Sequence, residues 1–499
     1  MSVKKFIFGL IVATIALNAL SLSELKSMPK SIERDFYIWR FLQQDSTSKE
    51  DALKTKELIY HLNGKLISSF YKKTNIKLHK KIYKYGKHLN LDRYRAIIKN
   101  LQREPNFYKA WLNLDTKDKL EVFNLSGKSG RKALNKNMPS NIYKNMSKYW
   151  GINEFIFRVY REHLNSVENT IINTKPPIGN KINYKHLMGI GFSALVSENR
   201  DVASAYFRAA RYKARDRFHA DRAIFWNYMA SKDSKLLYKL ASSYDFNIYK
   251  LIAFDFLKQP YPSPAKLPNI TKDRVDFDIT NPINWAKLKR KIFSKNTNLL
   301  ALASIFKAKN TLGYYSYIIN KASRDTKQYF PIIYTQYMKG LSIKRKALIL
   351  ALMRQESRFI PASISSSFAL GLMQFMPFLI KDIAKKRGDN IRLEDMFKPK
   401  VAIIYANYHL NYLEKYLPNP LFVAYAYNAG IGYTRRMLRK TTHFKRFGEL
   451  EPYLSLEMVD NDQANEYGKK VLANYVIYRK LLGSPVKITT ILKSLITYK

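Results

Sequence analysis

The chain has 499 residues, enough for roughly three average domains with separate cores, so a single small unit is excluded. Its net charge of +49 favours polyanionic partners, and the lack of any cysteine excludes disulfides, thiolate metal sites and lipid attached through cysteine. Scarce Gly and Pro among abundant Leu, Ala, Lys, Ile, Tyr and Phe predict an all-α, mainly helical protein with aromatic packing.

The amino terminus begins Met1-Ser2-Val3-Lys4-Lys5, continues as an apolar run from Phe6 to Leu20, and reaches Ala19-Leu20-Ser21. Basic, apolar and small residues in that order predict a secretory signal peptide over residues 1–21, because the run is shorter than the roughly 20 residues that span a bilayer. Export makes nucleic acid a poor partner for the positive charge and an anionic membrane surface a better one. A lysine-rich bias with no specific ligand is the competing explanation.

Residues 22–328 read as helix-length segments joined by short polar turns. One clear pair runs from Val202 to Arg211 and from Ala220 to Trp226, with small Ala residues at helical spacing and aromatics between them. The pattern is similar to tetratricopeptide-type helix pairs without a strict period, which predicts an irregular α-superhelix, with an ordinary helical bundle as the alternative. Proline interrupts it at Lys175-Pro176-Pro177 and more strongly from Pro260 to Pro268, so an extended linker is expected near residues 259–268. A boundary near residue 328 follows, then a second domain over 329–484 and a tail over 485–499.

In that second domain, Lys344 to Glu356 reads as a helix with Leu348, Ile349, Leu352 and Met353 on one buried face. Glu356 then lies in the last turn, where the helix dipole raises a carboxyl pKa and favours the protonated form, with burial in a cleft adding to it. Arg354, about 200° around the axis, should face away. Arg358 lies past the regular helix. Gly371-Leu372-Met373-Gln374 offers close backbone approach, a polarisable thioether and a two-way hydrogen-bonding amide. Pro377 fits the start of a helix closed by Gly388, and Pro420 starts another, from Leu421 to Asn428, ended by Gly430 and Gly432. The eight His residues lack metal-ligand spacing, and no phosphate loop or nucleophile elbow appears, so neither metal nor organic cofactor is expected.

Three blocks, Arg354-Gln355-Glu356-Ser357, Gly371-Leu372-Met373-Gln374 and Ala426-Tyr427-Asn428-Ala429-Gly430, resemble the catalytic domain of lytic transglycosylases, closest to the large soluble kind. The resemblance spans roughly residues 330–482 and implies a lysozyme-like catalytic domain behind the superhelix. It also implies a periplasmic enzyme that cuts peptidoglycan glycan strands between N-acetylmuramic acid and N-acetylglucosamine. Glu356 would serve as the single catalytic acid and then as base, yielding a 1,6-anhydro sugar. Ser365, Met373, Gln374, Tyr427, Asn428, Glu457 and Tyr467 would contact substrate. The chain departs from the family pattern at Phe368 and Ala406, where Gly is usual, at Lys398-Pro399 for Asp-Pro, and at Asn465 for Arg. A hydrolytic lysozyme of similar fold and a non-catalytic peptidoglycan-binding scaffold are the alternatives.

Overall fold

The computed structural model describes residues 19–79, 89–267, 270, 272–440, 442–445 and 447–496. The expected signal peptide lies almost wholly outside the described residues, as does Pro268. Among the described residues the regular elements are helices, and extended pairing is confined to isolated bridges.

Helices α1 (Ile32–Phe41) and α2 (Gly64–Thr74) start at Ser31 and Asn63, whose side chains accept hydrogen bonds from the Arg34 and Leu66 amides. Further along, α3 (Tyr184–Val196), α4 (Arg200–Tyr212) and α5 (Arg217–Ser231) pack as successive neighbours. Ala203, Ala210 and Ala223 are fully covered and let the backbones approach, while Tyr206, Phe207 and Trp226 fill the space between them. Helix α6 (Ile248–Phe256) precedes the proline-rich segment, which runs without helix and forms a bridge from Ala265 to Tyr329. Helices resume at α7 (Pro282–Ile292).

The carboxy-terminal region contains α8 (Ile343–Glu356), α9 (Pro377–Arg387), α10 (Pro399–Tyr416), α11 (Pro420–Ala429), α12 (Asp462–Leu481) and α13 (Ile488–Ile496). Proline opens α9, α10 and α11, where a missing amide proton costs nothing. Gly388 caps α9 at φ 71°. Gly430 alone turns the chain after α11, because Gly432 falls inside the next helix, Ile431–Lys440. The spine is α12, packed against α8 and α11. A Cβ at Gly468 would lie 2.3 Å from a Tyr425 ring carbon, so this glycine sets how closely α12 approaches α11.

Two expectations change. Burial of α8 is not one-sided: every residue from Ala347 to Met353 is buried, because α10 and α12 cover its other flanks. The expected tail contains α13, whose Ile488, Leu492 and Leu495 are buried, packed against α6 and α12. Asp255 anchors it, accepting from the Thr489 amide at 3.0 Å and hydroxyl at 2.8 Å.

Several stretches of the amino-terminal region reach the carboxy-terminal one, among them Trp285 and Ile318, which share a core with Ile360 and Ala362. Near the start, Arg40 pairs with Glu394 at 3.0 Å and Asn63 donates to the Ser366 carbonyl at 2.9 Å. Further on, Lys185 meets Asp462 and Arg200 meets Glu449, each at 2.6 Å. Lys289 of α7 also returns to the fully buried Glu33 of α1 at 2.6 Å.

Candidate active site

Helix α8 starts at Ser342, whose side chain accepts from the Arg345 amide, and ends at Glu356. Beyond it Arg358 and Phe359 enter the left-handed region at φ 53° and 66°, so the chain leaves the helix sharply and Glu356 stands at its end. The carboxyl is half-buried, and the Tyr467 hydroxyl donates to its Oε1 at 2.6 Å. Burial pushes the Glu356 carboxyl up to about 7, with the Tyr467 hydrogen bond pulling modestly the other way. Loss of water, rather than the helix dipole on which the sequence argument leaned, is the dominant cause. Among the described residues neither a cation nor a second carboxylate shifts it further.

The neighbouring arginines are held elsewhere. Arg354 donates to Asn474 Oδ1 at 2.6 Å and Gln328 Oε1 at 3.0 Å, with its guanidinium 3.9 Å from the Phe330 ring centre. Arg358 reaches Asp325 at 3.9 Å.

The second block folds as a tight turn. Gly371 has φ 77°, and a Cβ there would meet the Met396 carbonyl oxygen at 2.1 Å, which accounts for glycine at this position. Isolated bridges join Ile364 to Leu370 and Leu370 to Phe375. Ser365 Oγ accepts from the Ala369 amide at 2.9 Å, and the Gln374 carboxamide donates to the carbonyls of Gly371 at 2.8 Å and Ser363 at 3.1 Å. Both predicted contacts thus have first duties in shaping the turn. The Met373 side chain is fully buried, which corrects the expectation that it lies against a sugar; its carbonyl instead accepts from Tyr427 at 2.9 Å.

Tyr427, near the carboxy end of α11, packs its ring against Phe375 and His409 at 5.9 and 5.7 Å. Burial, and then the nearby Glu356 charge, raises its hydroxyl well above the usual range, so it stays a neutral donor. Asn428 is half-buried, and its side chain has no protein hydrogen bond among the described residues. The structure therefore brings Glu356, Tyr467 and Tyr427 together, with the Met373 carbonyl and Gln374 on the same turn.

Glu457 does something else. Its Oε1 accepts from Trp226 Nε1 and the Tyr249 hydroxyl, both at 2.8 Å, and its Oε2 takes Lys469 and Arg222, both at 2.6 Å. Burial alone would raise this carboxyl, but the Arg222 and Lys469 charges hold it at about 2. With 1% of its side chain exposed it has nothing left for a glycan, a correction to its expected substrate contact. It joins α5 and α6 to α12. Sequence reasoning missed Arg222, Trp226, Tyr249 and Lys469, which lie on three separate helices and share no spacing signal. Asn465, where the resemblance led one to expect Arg, donates to the carbonyls of Glu457 at 3.2 Å and Val459 at 3.3 Å and stabilises the turn into α12.

An all-α protein with a helical superhelix ahead of a lysozyme-like unit, and a protonatable carboxyl at a helix end, is the class that the fold and site define. Residues 334–448 match the transglycosylase SLT domain. The chain is 35% identical over 122 residues to a putative soluble lytic murein transglycosylase of Haemophilus influenzae, covering 22% of this chain and 20% of that protein. It is 27% identical over 219 residues to the soluble lytic murein transglycosylase of Salmonella typhimurium, covering 42% of this chain and 32% of the relative. The matches thus span about a third or less of the curated relatives. A solved complex of a 70-kDa soluble lytic transglycosylase with bulgecin A shares 15% identity and a TM-score of 0.51, covering 94% of this chain and 84% of that one, a likeness of fold. The 70-kDa enzyme of Escherichia coli, at 15% identity and a TM-score of 0.45, covers 95% and 84%. Tyr467 and Glu457 lie beyond the matched domain segment.

Proposed function

We propose that the protein is a periplasmic lytic transglycosylase that cleaves the β-1,4 bond between N-acetylmuramic acid and N-acetylglucosamine in peptidoglycan, forming a 1,6-anhydro sugar during cell-wall remodelling. The observation that carries this reading is Glu356, a lone carboxyl raised to about 7 and held by Tyr467. A general acid works best when its pKa lies near the working pH. Most glycosidases add a second carboxylate, about 5–5.5 Å away in retaining enzymes. Glu457, the other acidic residue expected to contact substrate, is held by Arg222 and Lys469.

One group then acts twice. Glu356 protonates the glycosidic oxygen, and the leaving sugar departs with that proton. The substrate's own acetamido oxygen supports the positive charge at C1. The Glu356 carboxylate next takes the proton of the C6 hydroxyl as O6 closes on C1, which restores the acid and consumes no water. Tyr467 steadies the carboxylate form between the two transfers. In this reading Asn428, with its side chain unspent on protein, and the Gln374 carboxamide oxygen bind hydroxyl or acetamido groups of the glycan.

Mass analysis of muropeptides released from sacculi by the purified protein tests the reaction. Anhydro-terminated products are expected, and reducing-end products without them would replace this reading with hydrolysis. Glu356→Gln should lower kcat by at least about 1000-fold, whereas unchanged digestion by that variant would leave only a binding role.

A further inference from the structure

Phe368 has a backbone that phenylalanine rarely adopts. It sits at φ 63°, in the turn just ahead of Gly371, and its side chain is fully buried. A bulky residue in the left-handed region is strained, and it persists only where its surroundings fix it. Those surroundings come from the far end of the chain. The Phe368 ring packs against Trp39 at 5.6 Å and Phe36 at 5.8 Å, both on α1. The two residues before it are held as well: Asn63, at the start of α2, donates to the Ser366 carbonyl at 2.9 Å, and Lys65 donates to the Ser367 carbonyl at 2.7 Å.

We propose that Trp39 and Phe368 are positioning residues: α1 and α2 hold the strained turn at residues 365–369 in the conformation that sets the substrate-facing block behind Glu356. The connection is short. The Ser365 amide donates to the Ala369 carbonyl across the turn at 3.0 Å, and the Gly371 amide donates to the Ser363 carbonyl at 2.9 Å. Gln374 spans Ser363 and Gly371, and Tyr427 hangs from the Met373 carbonyl at 2.9 Å. A turn released from α1 relaxes toward ordinary φ values, and Gln374 and the Tyr427 anchor move with it. The amino-terminal helices thus take part in shaping the site without touching substrate.

The inference rests on the proposed reaction, but its test separates the two. Full-length Trp39→Ala and Phe368→Gly are compared with wild type and with Trp39→Phe, which keeps an aromatic cover. In the alanine variant, kcat per folded molecule should fall roughly 10- to 100-fold with KM within about twofold, and Trp39→Phe should recover most of it. Phe368→Gly, which suits the backbone but removes the plug, should stay folded and lose kcat similarly. Hydrogen exchange supplies a readout independent of activity: amides of Phe368, Gly371 and Phe375 should exchange faster in Trp39→Ala, with those of α12 unchanged. Full kcat and unchanged exchange in folded Trp39→Ala would overturn the proposal. Faster exchange in a chain whose wild type releases no anhydro product would keep the brace and reject the reaction.

Discussion

Glu356 loses most of its water and gains one hydroxyl, and both effects reach measurable pH profiles. The acid form needed for bond cleavage is lost as pH rises through about 7, so the alkaline limb of kcat/KM should fall near that value. Stability follows the same group. Its folded pKa lies above the ordinary 4.5, so its contribution is fully present below about 4.5 and is lost as pH rises through about 7. Glu356→Gln should therefore unfold at higher denaturant than wild type at pH 8, by about 1–3 kcal/mol, with a smaller difference at pH 5. Denaturant melts at the two pH values check this. Gly371 makes a second residue-scale prediction. Alanine there would add a Cβ 2.1 Å from the Met396 carbonyl at a φ of 77°, so Gly371→Ala should cost at least about 2 kcal/mol in the same assay.

Helix α12 serves three sites from one rigid element. Tyr467 reaches Glu356, Lys469 reaches Glu457, and Asn474 holds Arg354 away from the acid. These residues share a helix, so one backbone supports both carboxyls. Removing the Glu457 charge leaves Lys469 and Arg222 buried without their carboxylate. Glu457→Gln should destabilise the protein by about 3–5 kcal/mol, measured by denaturant melts, while its folded fraction keeps cleaving. Loss of kcat at unchanged stability would instead return Glu457 to the site. The linkage runs opposite to that of Glu356: the folded pKa of about 2 lies below 4.5, so this stabilisation is present above about 4.5 and is lost as pH falls through about 2.

At the scale of the molecule, the amino-terminal helices grip the carboxy-terminal region at several places, two of which, near α1–α2 and near α3–α6, bear on the site. The first contact fixes the turn before Gly371, and the second neutralises Glu457. Over both lies a charge of +49, distributed on a protein whose proposed substrate carries free carboxylates. Binding of the Glu356→Gln variant to sacculi should weaken as salt rises from about 50 to 500 mM, because exposed charges are screened beyond roughly one Debye length. Salt-independent retention in a pull-down would show that the charge does not contribute to capture.

Local chemistry makes much of this molecule legible in its sequence. Helix periodicity, proline at helix starts, Gly388 and Gly430 at helix ends, and the carboxyl closing α8 are all written within a few residues of one another, so spacing alone determines them. The same holds for the direction of Arg354, which depends only on helix geometry. What needed tertiary structure was anything set by residues far apart in the chain. Glu457 resembled a substrate contact until Arg222, Trp226 and Tyr249 arrived from more than 200 residues upstream. Met373 resembled a sugar platform until packing covered it, and residues 488–496 resembled a tail until α6 and α12 took their apolar face. Phe368 resembled a mere departure from glycine until Trp39 gave its ring a place. The sequence by itself determined which carboxyl stands at a helix end. Only the tertiary structure decided that burial raises it to about 7, because the loss of water at one atom depends on every element packed around it.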